Sequence, residues 1–564
     1  MDIKKNISSI PRFMIAAPSS GSGKTLVTCG LLRLLQRRGL RPAAFKCGPD
    51  YIDPMFHRQV LGIPSRNLDT FFLPDGGVRE VLAAGVRKHA AGLAVIEGVM
   101  GYFDGTGRSG MQASSFDLAL QTRTPVILVV NAKGMSRSLL PLLQGFCEYE
   151  KNHSTAVAGE DAGGETSRIR GVILNRVSAG MFPMMKKWIE EETGLAALGY
   201  LPQSDDVTWG SRHLGLMQPE EISGLQRQID RLADLLEKSL DLDALLEIAG
   251  ASEKLQGRDE PADTAGAVEK LADGQAPREA AESSAEEPDQ AGPAEKLSDG
   301  QVPREAAESS EEKPAQTESA EKRPGMPSLI PAEKPLRIAV ARDEAFSFYY
   351  EENFDLLRAQ GAELVCFSPI RDRTLPQADG LILGGGYPEL HAAALAQNEA
   401  VKDQIRDLAG AGIPILAECG GFMYLQDRLE NRGSAYPMCG VLPGTCHMTD
   451  RLVRFGYVEI GANPEAEKGA EAALGSEDAE GGNPAASSGT GYLSPGHRIR
   501  AHEFHYFDST DNGRACQAVK PAGSRSWECM VVRGNIMAGF PHLYYPSDPQ
   551  FIVNFLRRCR EWKH

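Results

Sequence analysis

The sequence contains no Cys-x-x-Cys pair and no apolar run approaching the roughly 18 residues of a membrane span. Its ten cysteines are spread over 564 residues without the close spacing of a small disulfide-rich domain. This pattern is typical of reduced thiols and gives little support for a structural zinc site. Residues 1–9 also lack the apolar core of a signal peptide. We therefore expect a cytoplasmic protein.

The chain also has fewer basic than acidic residues: 60 Lys and Arg against 76 Asp and Glu, which gives a formal net charge of −16. This balance argues against broad binding to nucleic acids or anionic membranes, although a local basic pocket can still hold an acidic ligand. Hydrophobic residues make up 42% of the chain, which is typical of globular proteins. A chain of this length exceeds one hydrophobic core, so at least two domains are expected.

Residues 251–334 contain no Phe, Trp, Tyr or Cys and are rich in Ala, Glu, Pro, Ser and Gly. Such a segment cannot bury enough apolar surface to offset the entropy lost on ordering, so we predict a disordered linker. Two near-identical stretches begin at Glu269 and Glu295; two copies without an apolar face favour a duplicated tether over a solenoid. The linker separates a predicted domain at 1–248 from a second at 335–564.

Strand-like apolar runs alternate with helix-like runs on both sides of the linker. Phe13–Ala17, a buried-strand pattern, leads through a glycine-rich turn into a helical pattern at Thr25–Arg38. The alternation predicts an α/β fold for each domain, with a parallel sheet covered by helices on both faces. A polar patch at about 463–490 is predicted to be a loop insertion. The other predicted strands are 43–46, 93–97, 126–131, 171–175, 337–341, 364–367, 380–383 and 413–417, and helices are predicted at 354–360 and 401–409.

The turn after the first strand, SSGSGKT at residues 19–25, has the layout of a phosphate-binding P-loop. Backbone N–H groups in such a loop converge on phosphates at a helix N-terminus. Lys24 is expected to reach the terminal phosphates, and Thr25 to hold Mg²⁺. Pro18 stands where the usual pattern has a glycine, and an ordinary Ser/Gly turn is the alternative. The predicted ATP-binding residues are Gly21, Ser22, Gly23, Lys24 and Thr25.

Acidic residues follow the next two predicted strands of the first domain. Asp50 lies just beyond the strand at 43–46, and Glu97 ends the strand at 93–97 and is followed by glycine. Packing explains such carboxylates poorly, whereas Mg²⁺ bound to a nucleotide requires oxygen ligands there. With Thr25, Asp50 and Glu97 are therefore the predicted metal ligands. Asp53 and Asp104 precede Pro and Gly, which is also common in turns.

In the second domain, Cys419 lies between an apolar strand with Glu418 at its end and the sequence Gly420-Gly421. This strand–turn–helix layout is that of a nucleophile elbow. The helix N-terminus is expected to lower the thiol pKa. Backbone N–H groups of Gly420 and of Gly386, in the Gly384–Gly386 run, are predicted to stabilise an oxyanion. The alternative is a small buried core cysteine.

A cysteine nucleophile needs a base, and four histidines follow Cys419 at suitable positions. His502 and His505 alternate so that both fall on one strand face, and His542 follows a short apolar run. His497 is the fourth candidate. The residue pattern alone leaves the choice among them open.

Taken together, these strings closely resemble the cobyrinic acid a,c-diamide synthase family, glutamine-dependent amidotransferases of corrin biosynthesis. The resemblance covers nearly the whole chain outside the linker and the insertion. The matching strings are SSGSGKT, KCGPDYIDPMFH (46–57), EGVMGYFDG (97–105), ARDEAFSFYY (341–350), LGGGYPEL (383–390), ECGGFMYL (418–425), HEFHYF (502–507) and the segment around His542.

The resemblance implies a dethiobiotin synthetase-like P-loop domain followed by a class I glutaminase-like domain with a Cys–His pair. In such glutaminases the histidine comes late in the chain, which selects His542 as the base for Cys419. ATP and L-glutamine are implied as co-substrates and Mg²⁺ as cofactor. Tyr51, Asp53 and Asp104 are implied to line the corrinoid site.

The implied activity is amidation of the a and c carboxylates of cobyrinic acid through acyl phosphates, in cobalamin biosynthesis. Amidation of another tetrapyrrole, such as Ni-sirohydrochlorin, is one alternative. A P-loop regulatory ATPase with an inactive glutaminase-like domain is an alternative from a different class. Cys419 and His542 are both present, which argues against that second alternative. The sequence leaves a monomer and a homodimer open.

Overall fold

The computed structural model describes most of the chain outside the linker. The described residues are 10–74, 76–106, 110–158, 167–204, 207, 211–212, 215–216, 222, 224–255, 335–463, 491–521 and 523–562. Those before and after the linker belong to one compact unit. The predicted linker from 256 onward and the predicted insertion from 464 to 490 lie outside the described residues. The first five residues assigned to the linker, 251–255, are described.

The first domain is a sheet with helices on both faces. Its strands are β1 (Arg12–Ala16), β2 (Pro42–Cys47), β3 (Ser65–Leu68), β4 (Leu93–Glu97), β5 (Val126–Asn131), β6 (Ile169–Asn175) and β7 (Ala196–Leu201), followed by the short pair β8 (Ser211–Arg212) and β9 (Gly215–Leu216). Within the described residues, β1 to β7 form one parallel sheet in the order β3-β2-β4-β1-β5-β6-β7. The helices are α1 (Lys24–Arg37), α2 (Ile52–Met55, continued by a π-helical turn at Phe56–Val60), α3 (Gly77–Lys88), α4 (Ser115–Gln121), α5 (Leu139–Ala158), α6 (Phe182–Thr193), α7 (Leu225–Ser239) and α8 (Leu242–Gly250).

The central strand β1 shows why this sequence forms a doubly covered sheet. Every residue of β1 is buried. Phe13 and Ile15 belong to the apolar cluster that includes Leu31 of α1, whereas Met14 and Ala16 belong to the cluster on the opposite face. Successive side chains of a strand point to opposite faces, so a continuous apolar run fits a sheet buried on both sides.

The second domain is built around a further sheet. Its strands are β10 (Leu336–Ala341), β11 (Ala362–Phe367), β12 (Gly380–Leu383), β13 (Ile415–Glu418), β22 (Val531–Arg533) and β23 (Ile536–Gly539). The order is β11-β10-β12-β13-β23-β22, parallel except for the pairing of β22 with β23. The helices are α9 (Glu351–Ala359), α10 (Ala392–Gln397), α11 (Glu399–Gly410), α12 (Gly420–Leu425) and α13 (Pro549–Glu561). The prediction of a parallel α/β sheet in each domain is confirmed.

Two smaller sheets in the second domain were not predicted. One has the order β15-β14-β16-β19, from β14 (Gln426–Asn431), β15 (Ser434–Pro437), β16 (Leu442–Met448) and β19 (Phe507–Ser509). The other has the order β21-β20-β17-β18-β24, from β17 (Arg454–Ala462), β18 (Arg498–His505), β20 (Cys516–Val519), β21 (Ser526–Cys529) and β24 (His542–Leu543). The second sheet is antiparallel and carries three of the four candidate histidines. It therefore shapes the functional site.

The two domains contact each other through aromatic rings and buried polar groups. Phe72 stacks on Tyr544 with ring centroids 4.7 Å apart, and the Tyr457 hydroxyl donates to Asp69 at 2.6 Å. Arg66 reaches Asp355 at 2.5 Å across the same boundary. These contacts hold the end of the first sheet against β17 and α9. No helix among the described residues is both long and apolar enough to cross a membrane.

Candidate active site

The predicted phosphate loop lies between β1 and α1, at the carboxyl edge of the first sheet. The Ser22 hydroxyl donates to the Ser19 carbonyl at 2.9 Å, and Asn175 donates to the Ser22 carbonyl at 2.8 Å. Lys24 is largely buried and donates to the Met100 carbonyl at 2.5 Å. Burial, and then Lys46, lower the pKa of Lys24 to about 8, so the ammonium still predominates at neutral pH. A bound polyphosphate would replace the carbonyl as its partner.

A buried cluster of charges surrounds Thr25. The Thr25 hydroxyl donates to Glu97 at 2.6 Å and lies 3.4 Å from Asp53. The Lys46 ammonium lies 2.5 Å from Asp53 and 3.3 Å from Glu97. His57 approaches the second oxygen of Glu97 at 3.4 Å. Two carboxylates, one ammonium and one hydroxyl thus share the space beside the phosphate loop.

The cluster separates the two carboxylates electrostatically. Burial acts to raise the pKa of Glu97, but Lys46, His57 and Thr25 outweigh it and hold that pKa below its usual range. Burial, then Asp50 and Glu97, raise the pKa of Asp53 well above its usual value despite Lys46. Glu97 is therefore the carboxyl group of the pair that stays ionised more readily.

The oxygen donors beside the phosphate loop fit Mg²⁺, which takes few carboxylates and keeps several waters. Thr25, Glu97 and Asp53 place hydroxyl and carboxylate oxygens within one small volume. Among the residues that the structure describes, no group of three or more His, Cys, Asp or Glu side chains is arranged to hold a metal alone. Asp50, the other predicted ligand, accepts from the backbone N–H of Ile52 at 2.8 Å at the start of α2.

Cys419 sits on the turn between β13 and α12. Its backbone has φ 48° and ψ −104°, which is a strained conformation for a residue other than glycine. Its N–H donates to the Gly539 carbonyl of β23 at 2.8 Å, and the Gly420 N–H hydrogen-bonds to its sulfur. This is the geometry expected of a nucleophile elbow, in which the turn presents the side chain at the end of a strand.

The expectation of a lowered thiol pKa is wrong for this structure. Burial, and then the charge of Glu389, raise the pKa of Cys419 well above its usual range. The hydrogen bond from Gly420 lowers that pKa but is the weaker effect. Removing water from around the thiol disfavours the thiolate more than the single turn of helix favours it. The thiol therefore needs a base that takes its proton as the bond to carbon forms.

His542 is the residue predicted to be that base. It begins β24, three residues beyond the Gly539 carbonyl that holds Cys419, and is 3% exposed. Burial, and then His505, lower the pKa of His542 to about 3, so its imidazole is neutral and able to accept a proton. Its Nδ1 atom has no hydrogen-bond partner in the structure. A buried imidazole nitrogen without a partner is costly unless a substrate or proton occupies it.

The Gly384–Gly386 loop lies against both catalytic candidates. A Cβ atom on Gly385 would come within 2.2 Å of the His542 ring, so only glycine allows this close approach. The nitrogen of Gly386 lies 3.2 Å from the place a Cβ atom on Gly420 would take. The predicted oxyanion donors Gly386 and Gly420 are therefore neighbours, on two sides of the turn that carries Cys419.

The other candidate histidines have different surroundings. His505 is held by the Phe507 carbonyl at 2.7 Å and stacks on Phe540. His497 lies 3.0 Å from Asp548 on the outer part of the domain. His502 is the cross-strand partner of His542, and burial, then His542, lower its pKa to about 3. Of the four, His542 is the one that lies against the Gly384–Gly386 loop and has a buried ring nitrogen without a hydrogen-bond partner.

A cavity of about 720 Å³ lies between the two domains. The first domain contributes Asp50 and Met100, the latter bearing the carbonyl that Lys24 contacts, and the second contributes His542. The remaining lining residues are Pro49, Tyr51, Ile52, Val99, Gly105, Thr106, Ala113, Phe348, Tyr387, Phe455, Gly456, Tyr457, His502, Phe504, Lys520, Pro521, Gly523 and Arg525. One cavity is thus lined both by the candidate base His542 and by residues that follow β2 and β4 of the first domain.

Of the three residues predicted to contact the substrate, only Tyr51 lines this cavity. Asp53 faces Thr25 and Lys46 instead, and Asp104 accepts from the Gly101 N–H at 2.8 Å. Sequence reasoning did not find Lys520 and Arg525, the cationic residues of the lining. They lie in a polar turn between β20 and β21, and no local pattern distinguishes them from solvated surface charges.

Two family profiles match the chain. Residues 13–216 match the CobQ/CobB/MinD/ParA nucleotide binding domain, and residues 337–550 match the CobB/CobQ-like glutamine amidotransferase domain. The first range contains the phosphate loop and the second contains both Cys419 and His542.

Relatives similar over nearly the full length carry one name. The chain is 35% identical to a cobyrinate a,c-diamide synthase of Listeria innocua, covering 96% of this chain and 98% of the relative. It is 34% identical to a protein of the same name from Salmonella typhimurium, covering 97% of this chain and 98% of the relative. A solved glutamine amidotransferase is 15% identical, covering 40% of this chain and 98% of its own, with a TM-score of 0.25, too low to carry an argument.

Proposed function

Because the chain belongs to the cobyrinate a,c-diamide synthase family, we propose that it amidates the a and c carboxylates of cobyrinic acid with ATP and glutamine. The observation that carries this proposal is the single cavity that has His542 on one wall and Asp50 and Met100 on another. A nitrogen-releasing centre and a carboxylate-activating centre that open into one space suit two coupled half-reactions.

The first half-reaction activates the acid. A carboxylate resists attack by ammonia because oxide is a poor leaving group, and transfer of the γ-phosphoryl group of ATP converts it into an acyl phosphate. Lys24 neutralises charge on the transferred group. We propose that Thr25, Asp50 and Glu97 hold Mg²⁺, with Asp53 beside them; the ion would supply further charge neutralisation when bound.

The second half-reaction releases ammonia from glutamine. The Cys419 sulfur attacks the side-chain amide carbon while its proton passes to His542, and the N–H groups of Gly386 and Gly420 stabilise the oxyanion. His542 returns the proton to the departing ammonia, leaving a thioester. Water then hydrolyses the thioester to glutamate and restores the thiol.

Ammonia reaches the acyl phosphate through the cavity. The ring of Tyr51 lies 5.2 Å from that of His542 and stacks on Phe348 at 4.9 Å. Tyr51, Phe348 and His542 all line the cavity, so these rings form its wall beside the glutaminase centre, and apolar walls keep ammonia unprotonated. Attack on the acyl phosphate forms the amide and releases phosphate, and a second round amidates the other side chain.

The cavity suits a large polycarboxylate ring. Aromatic residues Phe455, Tyr457 and Phe504 offer flat apolar contacts, and Lys520 and Arg525 offer positive charge for peripheral carboxylates. All ten cysteines are unpaired, as expected in a reducing compartment, so we place the reaction in the cytoplasm.

The test is to incubate the purified protein with ATP, Mg²⁺, glutamine and cobyrinic acid and to read the product by mass. Two acid-to-amide conversions are expected. Cys419→Ala should abolish the glutamine-driven reaction and leave the ammonium-driven one, whereas Lys24→Ala should abolish both. Amidation of Ni-sirohydrochlorin but not of cobyrinic acid would overturn the substrate assignment. ATP hydrolysis that ignores both glutamine and the acid would overturn the proposal as a whole.

A further inference from the structure

Two buried polar side chains behind the glutaminase centre have no part in the proposed chemistry. Glu418 ends β13, directly before the nucleophile, and is 6% exposed. Asn353 belongs to α9, on the other side of the same region, and is 5% exposed. Polar groups this deeply buried need partners in the protein, and those of Glu418 and Asn353 all lie in one short segment.

That segment, Leu543–Tyr545, follows His542 directly. Glu418 accepts from the Leu543 N–H at 3.2 Å and from the Tyr545 hydroxyl at 2.9 Å. Asn353 donates to the Leu543 carbonyl at 2.9 Å and accepts from the Tyr545 N–H at 2.9 Å. The peptide groups on both sides of Leu543 and the one before Tyr545 are thus held by side chains from two different elements.

The arrangement matters because β24 is only two residues long. Its ladder with β18 pairs His542 with His502 and Leu543 with Ala501, and one further backbone hydrogen bond follows, from the Tyr544 N–H to the Arg500 carbonyl at 2.9 Å. A strand this short does not fix the direction of its own side chains, since few backbone hydrogen bonds hold it. Contacts from other elements therefore help to fix the position of the His542 ring.

Glu418 supplies a direct link between the two catalytic residues. It is the residue before Cys419, and it binds the residue after His542. One hydrogen bond therefore joins the side chain of the residue before the nucleophile to the backbone N–H of the residue after the base. We infer that Glu418 and Asn353 are positioning residues, a clamp on Leu543–Tyr545 that fixes the His542 imidazole relative to the Cys419 thiol. The inference rests on the glutaminase reaction proposed above.

The clamp works through hydrogen bonding and not through charge. Burial raises the pKa of Glu418 to about 8, although the Tyr545 hydroxyl and the Leu543 N–H act to lower it. At neutral pH its carboxyl group is therefore mostly un-ionised. Glutamine at this position keeps one acceptor oxygen for the Leu543 N–H, and its NH2 group can donate to the oxygen of the Tyr545 hydroxyl, so Glu418→Gln should preserve the clamp.

The decisive comparison is between Glu418→Leu and Glu418→Gln. Glu418→Leu should lower kcat of the glutamine-driven reaction by at least about 10-fold, because small misplacements of catalytic groups have effects of this size. KM for glutamine and the rate with ammonium salts should stay within about two-fold, since neither depends on the direction of His542. Glu418→Gln should restore most of the lost kcat.

A matched asparagine pair provides the control. Asn353→Ala should behave like Glu418→Leu. Asn398→Ala removes an equally buried side chain that also holds two backbone carbonyls, of Pro369 and Asp372, away from the site, and should leave kcat near that of the wild type. If Glu418→Leu does not fold, Tyr545→Phe removes one of the two donors to Glu418 and should give a smaller fall in the same parameter.

Several results would overturn the inference. These are unchanged kcat in Glu418→Leu and Asn353→Ala, an equal fall in Glu418→Gln, or an equal fall in the glutamine-driven and ammonium-driven rates. Failure of the proposed function looks different, because the wild type would then release no ammonia from glutamine, or Cys419→Ala would release it at the same rate.

Discussion

At the scale of single residues, three cationic side chains surround the indole ring of Trp527. The Lys520 ammonium lies 5.7 Å from the centre of the Trp527 ring, and the guanidinium carbons of Arg525 and Arg454 lie 5.8 and 5.0 Å from it. Lys520 also donates to the Phe455 and Tyr457 carbonyls, which holds it at the cavity wall. The ring and the carbonyls offset the mutual repulsion of the three positive charges.

Arg525→Gln and Lys520→Gln should each raise KM for the corrinoid substrate by about 10-fold, because each removes a charge-assisted hydrogen bond to a carboxylate. Arg525 is exposed at the cavity and makes the cleaner test. Steady-state kinetics with varied corrinoid and saturating glutamine give the value. Arg514→Gln is the control, because Arg514 pairs with Glu528 and does not line the cavity. KM values matching that control would show that the carboxylates bind elsewhere.

At the scale of elements, β3 and the turn after it form the seam between the domains. Asp69, in that turn, accepts from the Tyr457 hydroxyl and from the backbone N–H groups of Phe71 and Phe72, at 2.8 and 3.0 Å. Burial raises the pKa of Asp69 from 3.8 to about 6, although the Tyr457 hydroxyl and both N–H groups act to lower it. The seam therefore contains a carboxyl group that titrates in the mildly acidic range.

The sign of the resulting pH dependence follows from the raised pKa. The contribution of Asp69 to the free energy of unfolding is complete below its ordinary pKa of 3.8 and is lost as pH rises through about 6. The loss amounts to about 3 kcal/mol. Asp69→Asn keeps the shape without the titration, so its stability relative to the wild type should rise between pH 4 and pH 7. Urea midpoints of both proteins at the two pH values test this; a constant difference would refute it.

Sequence patterns predicted those strands that contain a continuous run of apolar residues. β1, β4 and β5 were predicted because each contains a run of at least four apolar residues, Phe13–Ala16, Leu93–Ile96 and Val126–Val130, with a polar residue at one end. β3 was missed because its residues Ser65–Leu68 are mostly polar yet buried. Its burial comes from partners far along the chain, among them Asp355 for Arg66. No local pattern contains that information.

The residues of the candidate site likewise fall into those that local sequence predicts and those that only the assembled fold brings together. The P-loop, Glu97 and the Cys419 turn are local in sequence, and short spacing predicted them. Lys520 and Arg525 become part of a cavity only through the antiparallel sheet of β17, β18, β20, β21 and β24, which brings them opposite the first domain. The clamp on Leu543–Tyr545 joins α9, β13 and β24, which are distant in sequence. Both features depend on the assembled fold.

At the scale of the whole molecule, one buried arginine marks where the first domain ends. Arg12 is completely buried and donates to the Ile10 carbonyl at 2.9 Å, the Ser252 hydroxyl at 3.3 Å and the Glu253 carbonyl at 2.5 Å. Burial lowers the pKa of Arg12 to about 10, so it stays charged at neutral pH. Residues 252 and 253, assigned to the linker from composition, therefore belong to the packed domain.

The position of this domain boundary can be tested by comparing two replacements of the linker that begin at different residues. Exchanging residues 256–334 for about 30 Gly and Ser residues should leave most of the activity, because such a chain acts as a passive tether. Exchanging 251–334 should lower the melting temperature, since Arg12 would lose two partners while remaining buried. Calorimetry and the amidation assay give both values. Equal melting temperatures would contradict the role assigned to Ser252 and Glu253.

The position of His542 on the cavity wall affects how much of the ammonia released from glutamine is lost to solvent. Its ring faces the same space that a corrinoid would fill, with Tyr51 beside it. A ring system seated there closes the cavity to bulk solvent, whereas an empty cavity gives ammonia a way out to water. Release of ammonia to bulk solvent should thus be greatest when no acid is bound and should decline as the corrinoid occupies the cavity. The acceptor itself would then limit the loss of the ammonia that it consumes.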